Sequence, residues 1–306
     1  MAHGIGIVIT ERIAVGVVAE NALRGEVLIS PEDASITDSL HGVPAENIVN
    51  RIVDQIKKLQ LKEQPAHVGV GMPGIVRAGV VEDSPNLVQL KGMHMRQMIA
   101  DALEPLFGKL EVSIFNDADV MAAGVAATRG HLDRLIRVWT LGNGIGFGRY
   151  PSNDGVWEAG HSVVTLDPKE TFCGCGGKGH LEGIMGNRAM RLRFMDLEPD
   201  EVFAEAEAGD QRCSDFVKLW HRALAAATAT SIHLDGSGKF FITGRNARFL
   251  STTLLNEYLH EMVKLSPLQG YQVEVVSGGE SVATIGSAVN AERAAAQALK
   301  VSSAGE

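Results

Sequence analysis

Several features are scarce or missing in this chain of 306 residues, and each scarcity excludes a class of protein. Its 3 cysteines are too few for the disulfide framework of a small secreted domain. No apolar run approaches the roughly 20 residues that cross a bilayer, and the first residues lack the basic and apolar regions of a signal peptide. We therefore expect a cytoplasmic protein with no membrane partner.

Positive charge is also scarce, since 28 Lys and Arg residues stand against 37 Asp and Glu residues and the formal net charge is -9. Such a surface repels a phosphate backbone, so no nucleic-acid partner is expected. Aromatic residues make up only 5% of the chain, whereas glycine is abundant at 34 residues. This balance favours an α/β fold with close backbone approaches over an aromatic-rich sandwich.

Strand and helix patterns alternate along the chain. Apolar β-branched runs over 5–9 and 13–18 predict a β-hairpin, and 23–29 fits a third strand. Further strands are predicted at 66–70, 112–115, 135–141, 239–243 and 272–276. Helical spacing occurs over 45–61, 95–107, 118–128, 199–208, 213–232, 251–264 and 283–299, before a frayed tail at 301–306. The alternation predicts a largely parallel sheet that binds ligands at the carboxyl ends of its strands.

The segment 151–186 is rich in glycine and lacks periodicity, so it needs a restraint other than a hydrophobic core. It contains His161, Cys173, Cys175 and His180, which are tetrahedral zinc ligands. Because a catalytic zinc keeps one coordination position open, four protein ligands predict a structural zinc. The alternative is two reduced cysteines and two surface histidines in a flexible loop. Cys213 stands alone and is interpreted as a small buried hydrophobe.

Asn116 and Asp117 directly follow a predicted apolar strand. A carboxylate at the carboxyl end of a strand can accept a proton from a substrate hydroxyl, and a neighbouring amide can orient that hydroxyl. The same pair is also typical of a cap on the next helix. The residues alone leave both interpretations open.

A run of alternate glycines covers 142–148. Such a run lets peptide N–H groups approach phosphate oxygens, but it also suits a hairpin or a β-bulge. It lacks the Lys-Ser or Lys-Thr ending of a Walker loop and the downstream acidic residue of a dinucleotide fingerprint. Glu158 and Glu182 flank the zinc segment, where they would bind sugar hydroxyls or simply be solvated.

Taken in order, several segments resemble the motifs of the ROK family, which joins sugar kinases and sugar-responsive repressors. They are 69–74 (GVGMPG), 84–87 (SPNL), 116–118 (NDA), 141–146 (LGNGIG), 158–161 (EAGH) and 173–182 (CGCGGKGHLE). The resemblance is fainter at 241–245 and 278–288. The zinc motif is the most specific part, and His180 stands where the family has a third cysteine; histidine is a competent substitute for a thiolate.

The resemblance implies roles for residues at matching positions. Asp117 would be the general base on a sugar hydroxyl. Sugar contacts would come from Gly71, Gly74, Asn86, Asn116, Glu158, His161 and Glu182, and the nucleotide would lie near Gly142, Asn143, Gly144, Gly146 and Gly244. His161 would serve both the metal and the sugar, so loss of the metal should disorder the sugar site.

The chain departs from the family at its first phosphate motif. The family has a strand ending in Asp-x-Gly-Gly-Thr, whereas the aligned stretch 7–12 here reads IVITER. Loss of that motif removes groups that position the transferred phosphate and its magnesium. Arg12 could bind phosphate bidentately, although a solvated turn is the favoured interpretation. In the second phosphate loop Asn143 replaces the family's threonine, and 148–158 is shorter than the usual hairpin.

The fold implied by the resemblance is α/β, with two ribonuclease-H-like domains of the actin/hexokinase type around a central cleft. The domains would cover 1–117 plus 288–306, and 118–287 with the zinc loop. The first functional hypothesis is an ATP- and magnesium-dependent kinase acting on a hexose or N-acetylhexosamine. The second is a sugar-binding pseudokinase, and the third is a kinase with another donor such as polyphosphate, which no basic groove supports. A repressor is disfavoured because the chain is acidic and starts near its first strand. A homo-oligomer, a dimer in the simplest case, is expected.

Overall fold

The computed structural model describes residues 3–33, 36, 39–152, 158–264, 270–277 and 279–304. The chain divides into two compact units. The first unit comprises Met1–Ile136, Gly148–Asp154 and Gly278–Glu306, and the second comprises Arg137–Phe147 and Gly155–Ser277.

The alternation that the sequence predicts is present only in part, because four strands come first, between residues 4 and 30, and four helices follow one another between residues 182 and 235. The strands are β1 Gly4–Ile9, β2 Ile13–Ala19, β3 Ala22–Leu23, β4 Leu28–Ser30, β5 Val68–Met72, β6 Ile75–Arg77, β7 Val80–Asp83, β8 Val112–Asn116, β9 Ile136–Leu141, β10 Ile145–Tyr150, β11 Lys239–Thr243 and β12 Gln272–Val275. The helices are α1 Ala45–Lys58, α2 Met95–Phe107, α3 Asp117–Thr128, α4 Glu182–Met185, α5 Asn187–Arg193, α6 Pro199–Ala208, α7 Gln211–Asp235, α8 Thr252–Met262 and α9 Gly279–Ala304.

The first unit is built on a mixed sheet with the strand order β3-β2-β1-β5-β8, in which β4 also pairs with β2. The predicted hairpin is confirmed, because β1 and β2 are antiparallel with Ile7 opposite Val15. The pairs β1–β5 and β5–β8 are parallel, so β5 and β8 end at the same edge. This edge carries Asn116 and Asp117.

Helices cover both faces of this sheet because its strands alternate in side-chain size. Ile5 and Ile7 of β1 lie in one buried core with Ile52 of α1 and Ile99 of α2. On the opposite face, a Cβ atom on Gly6 would lie 1.9 Å from the carbonyl oxygen of Thr284 in α9. The helix α9 therefore lies directly against the backbone of the sheet.

The helices α3 and α9 approach each other just as closely. A Cβ atom on Gly124 would lie 1.9 Å from the carbonyl oxygen of Val282, and one on Gly286 would lie 1.7 Å from that of Val120. This contact places α3 in the first compact unit, whereas the division expected from the resemblance places 118–128 with the second domain.

The second unit has a sheet with the order β10-β9-β11-β12, of which β11 and β12 are parallel. Its core includes Trp139, Phe240 and Trp220. Arg137 on β9 is fully buried and donates from Nη1 to the carbonyl oxygens of Ser231 (3.1 Å) and Gly236 (2.9 Å) at the end of α7. This arginine thereby joins the sheet to the carboxyl end of the longest helix of the unit, where a positive charge is favourable.

The predicted elements differ from the structure at a few places. The strand predicted over 23–29 is interrupted, because Gly25 has a positive φ of 93° that separates β3 from β4. The helix α9 continues through Ala304, so the tail predicted from 301 is helical as far as that residue. Residues 305 and 306 lie outside the described residues, as do 153–157 within the stretch 148–158 that is expected to be shorter than the family's hairpin. Among the described helices, none is both long and apolar enough to span a bilayer.

Candidate functional site

Asn116 and Asp117 join the end of β8 to the start of α3. The Oδ1 atom of Asn116 accepts a hydrogen bond from the Ala118 N–H at 2.9 Å, and its Nδ2 atom donates to the carbonyl oxygen of Gly74 at 3.0 Å. The capping interpretation is therefore confirmed for Asn116. Asp117 is half-buried, and its Oδ1 atom accepts from the same Ala118 N–H at 3.0 Å.

The turn at Gly74, between β5 and β6, is restricted by close contacts. Gly74 has a φ of 107°, and a Cβ atom there would lie 2.2 Å from the carbonyl oxygen of Asp83. Ser84 is buried and donates to the carbonyl oxygen of Pro73 at 2.9 Å, which ties this turn to the segment that carries the exposed Asn86. Gly71 lies in β5, where a side chain would collide with Val120.

A second carboxylate lies on the same helix as Asp117. Asp119 accepts a hydrogen bond from the backbone N–H of Arg149 at 3.1 Å. Burial is the main cause that raises the pKa of Asp119 to about 6; the hydrogen bond from the Arg149 N–H opposes this shift, and the nearby charge of Asp117 contributes to it. Sequence reasoning missed this residue, because nothing in the pattern shows that the chain segment at 149 covers it.

The four predicted metal ligands come together in the second unit. The Sγ atoms of Cys173 and Cys175 are 3.3 Å apart, and Nδ1 of His180 is 3.3 Å from Cys175 Sγ. Ligand atoms of His161, Cys173 and Cys175 lie within 4.8 Å of one another, and the rings of His161 and His180 stack with centroids 5.4 Å apart.

The donor set fits a tetrahedral zinc ion. Bond lengths of about 2.3 Å to sulfur and about 2.0 Å to nitrogen place ligand atoms roughly 3.5 Å apart, close to the distances between Cys173, Cys175 and His180. Without a metal, burial raises the pKa of Cys173 to about 12, so its thiol is neutral. Binding of a metal ion would release that proton.

Two glutamates adjoin His161. Its Nδ1 atom is 3.9 Å from Glu158 Oε2, and its Nε2 atom is 3.7 Å from Glu182 Oε1. The other oxygen of Glu182 accepts from the Ile145 N–H at 2.9 Å. Glu182 therefore links the metal-ligand loop to the first residue of β10, directly after the glycine turn.

The glycine run forms the turn between β9 and β10, in which the Gly142 N–H donates to the carbonyl oxygen of Gly144 at 3.1 Å. The hairpin interpretation is confirmed for these residues, with Gly146 inside β10. Gly244, with a φ of 94°, also lies here, because a Cβ atom on it would be 2.4 Å from the carbonyl oxygen of Leu141. The predicted nucleotide residues thus gather in one place.

Two asparagines that sequence reasoning missed support this turn. Asn187 donates to Asn143 Oδ1 at 3.3 Å, and Asn246 donates to Asn187 Oδ1 at 2.6 Å and to the carbonyl oxygen of Gly142 at 3.4 Å. Asn187 and Asn246 are both buried. In the sequence, Asn187 directly follows a glycine and Asn246 lies two residues after one. This pattern is too weak to predict that either side chain is buried.

The turn after β1 replaces the family's first phosphate motif. Arg12 is only 13% exposed, pairs with the Glu280 carboxylate and donates from Nη1 to the carbonyl oxygen of Glu32 at 3.0 Å. The expectation of a solvated Arg12 is wrong, because this side chain binds the start of α9 at Glu280 and the backbone at Glu32.

The predicted sugar contacts are divided between the two compact units. Gly71, Gly74, Asn86 and Asn116 belong to the first unit with Asp117, and Glu158, His161 and Glu182 belong to the second with the metal ligands.

A comparison with protein-family models matches residues 26–293 to the ROK family. The chain is 28% identical to a glucokinase from Pyrobaculum calidifontis, with 72% of this chain and 77% of that protein covered. It is 25% identical to an N-acetylmannosamine kinase from Haemophilus influenzae, with 80% and 84% covered.

A solved structure of a ROK hexokinase from Thermus thermophilus matches with a TM-score of 0.79 at 20% identity, covering 96% of this chain and 99% of that one. This similarity confirms the predicted α/β fold of the actin/hexokinase type. The family match extends over most of the chain. It includes every segment that resembles the family's motifs, from residue 69 to residue 288. The protein is therefore a member of the ROK family.

Proposed function

We propose that the protein is an ATP-dependent kinase that phosphorylates a hydroxyl group of a hexose or N-acetylhexosamine. The observation that carries the proposal is the position of Asp117 at the carboxyl end of β8, beside the Asn116 amide that is fixed to Gly74. The relatives named glucokinase and N-acetylmannosamine kinase support the same substrate class.

The Asp117 carboxylate would act as the catalytic base. It accepts the proton of the sugar hydroxyl while that oxygen forms a bond to the γ-phosphorus of ATP and the bond to the β,γ-bridging oxygen breaks, so that ADP leaves. Asn116 would orient the hydroxyl. In phosphoryl transfer, positioning and charge stabilisation supply most of the catalysis, and magnesium would arrive with the nucleotide.

The nucleotide phosphates would lie at the turn 142–144, where Asn246 binds the carbonyl oxygen of Gly142 and Asn187 binds the side chain of Asn143. Asn143 cannot supply a hydroxyl, so peptide N–H groups are the main donors that this turn offers.

The metal in the loop of His161, Cys173, Cys175 and His180 would supply a structural restraint. With four protein ligands it keeps no open position for a substrate. His161 would present its second ring nitrogen toward the sugar together with Glu158 and Glu182, since a metal-bound imidazole is fixed in tautomer and direction. This arrangement gives the loop a function in sugar recognition.

One observation favours a sugar-binding pseudokinase as the second candidate. The turn after β1 lacks the family's acidic residue and glycines, and its Arg12 already binds Glu280 and the chain at 32. In that case the sugar site would persist without phosphoryl transfer.

Isothermal titration of the zinc-loaded protein decides between the two candidates. Magnesium-ATP or a nonhydrolysable analogue is titrated with and without each of a panel of hexoses and N-acetylhexosamines. Nucleotide binding that strengthens with one sugar supports the kinase and identifies its acceptor. Sugar binding without nucleotide binding supports the pseudokinase, and no binding of any sugar contradicts both.

A further inference from the structure

A pocket of about 550 Å³ in the first unit is lined by Arg134, Arg149 and Arg293 and by one carboxylate, Asp133. Three positive side chains and one negative side chain thus meet on a protein whose net charge is -9. The volume falls within the range of small-molecule sites, about 300–1,000 Å³. None of these residues belongs to the predicted sugar, nucleotide or metal groups.

The carboxylate in this pocket is only weakly engaged. Asp133 accepts two long hydrogen bonds from Arg134, each of 3.4 Å, and their side chains are 70% and 56% exposed. Exposed ion pairs of this kind contribute little free energy. An anion of higher charge can therefore displace Asp133 from Arg134 without breaking a buried interaction.

The pocket also offers an apolar wall. Tyr150 is buried, and the guanidinium carbon of Arg293 lies 5.3 Å from the centroid of its ring. Leu135 lines the same pocket. An occupant with both an anionic group and a carbon skeleton would satisfy this lining better than a free inorganic ion.

A hydrogen bond connects the lining of the pocket to the helix that begins at the predicted base. Arg149 donates its backbone N–H to Asp119, and Asp119 follows Asp117 by two residues in the first turn of α3. This hydrogen bond ties the backbone of a segment that lines the pocket to the first turn of α3.

We propose that this pocket binds a small phosphate monoester, such as a sugar phosphate. A phosphate monoester carries about -1.5 to -2 charge at pH 7, which suits a lining that contains more arginine than carboxylate. The planar guanidinium groups of Arg134 and Arg293 can bind its oxygens bidentately. The proposed kinase activity does not require this site, and the binding test below uses no nucleotide.

Glucose 6-phosphate is the probe, titrated calorimetrically into the zinc-loaded protein. The variant carrying Arg134→Gln and Arg293→Gln should bind it at least about tenfold more weakly, because two charge-assisted contacts are lost. Asp133→Asn should bind about threefold more tightly, because it removes the competing negative charge, and a misfolded protein would not gain affinity. Arg212→Gln is the matched control, since Arg212 is 54% exposed and pairs with Asp196; its affinity should stay unchanged.

Several results would overturn the proposal. One is the absence of saturable binding by the unaltered protein. Another is unchanged affinity in both the double arginine variant and Asp133→Asn. A third is binding that Asn116→Ala abolishes while the double arginine variant retains it, which would assign the probe to the predicted sugar site.

Discussion

Asp117 is the carboxylate on which the proposed chemistry depends. Asp117→Asn keeps the oxygen that accepts from the Ala118 N–H but removes the basic charge. We expect turnover to fall by about 10²–10⁴-fold, with sugar affinity nearly unchanged, in steady-state kinetics and sugar titration. Asp54→Asn, an exposed change on α1, is the control. Retained turnover in Asp117→Asn would disprove the assignment of the base.

Asp119 gives the protein a pH-dependent stability. Its carboxyl holds a proton up to about pH 6 in the folded state, whereas the unfolded chain loses it near about pH 4. Between about pH 4 and 6 the folded state binds more protons, so the free energy of unfolding falls as the pH rises.

Asp119→Asn should remove this fall in the free energy of unfolding, and its side-chain oxygen should still accept the hydrogen bond from the Arg149 N–H. We expect its free energy of unfolding to exceed that of the unaltered protein by ~2 kcal/mol at pH 7.5 and to match it near pH 4, measured by urea denaturation. Asp101→Asn, on an exposed site of α2, should show no such pH-dependent difference. Equal stability of Asp119→Asn and the unaltered protein at both pH values would contradict the prediction.

At the scale of elements, the contact of α3 with α9 depends on glycine. Gly124→Ala should be favourable by about 1 kcal/mol for an isolated helix. In the folded protein the new methyl group would lie 1.9 Å from the carbonyl oxygen of Val282, so the helices must separate. We expect a net destabilisation of about 2–3 kcal/mol, the cost typical of overpacking, in chemical denaturation. Gly270→Ala, where the added Cβ atom meets nothing within 4 Å, should change stability by less than about 0.5 kcal/mol. A stabilised Gly124→Ala would refute the tight contact.

The metal-ligand loop should depend on its ion. Removal of zinc with a chelator, or His180→Ala, should lower the melting temperature and weaken sugar binding together, because in the proposed arrangement His161 would contact both the metal and the sugar. Elemental analysis should find about one zinc per chain in the unaltered protein, and less in His180→Ala. His233→Ala, on an exposed position of α7, is the control. Full sugar affinity in the metal-free protein would separate the loop from sugar recognition.

The elements that the sequence predicts best are those with strong periodicity. The helix predicted over 95–107 has those bounds in the structure, and the first hairpin and the strand at 239–243 are also in place. The hairpin of β6 and β7 and the helix α5 were not predicted, because they are short and their apolar residues lack a clear period.

In the candidate site, too, some residues can be predicted from the sequence and others cannot. The clustering of the four predicted metal ligands could be foreseen from their donor chemistry and close spacing, which the sequence contains in full. Asp119, Asn187 and Asn246 could not be predicted, since their surroundings come from segments 30, 44 and 59 residues away. The burial of Arg12 likewise depends on Glu280, which lies 268 residues away.

At the scale of the whole molecule, ligand binding should stabilise the folded chain. A sugar that binds only the folded chain favours that state over the unfolded chain. At a concentration about 100 times the dissociation constant, the gain is about 2.7 kcal/mol. We expect the correct sugar to raise the melting temperature by several degrees in differential scanning fluorimetry, and to raise that of Asn116→Ala less. A panel in which no hexose or N-acetylhexosamine shifts the transition would contradict the proposed substrate class.

The close packing of α9 on β1 and β5 also affects how the chain folds during translation. The glycine-lined face of the first sheet stays uncovered until α9 is synthesised. This helix begins at Gly279, some 160 residues after the end of β8. At about 5–20 residues per second, this interval lasts roughly 8–30 s. During that time the nascent sheet presents an incomplete core to the ribosome surface and to chaperones. A slowed ribosome downstream of α3 should therefore increase the demand for chaperones, even though the finished protein is unchanged.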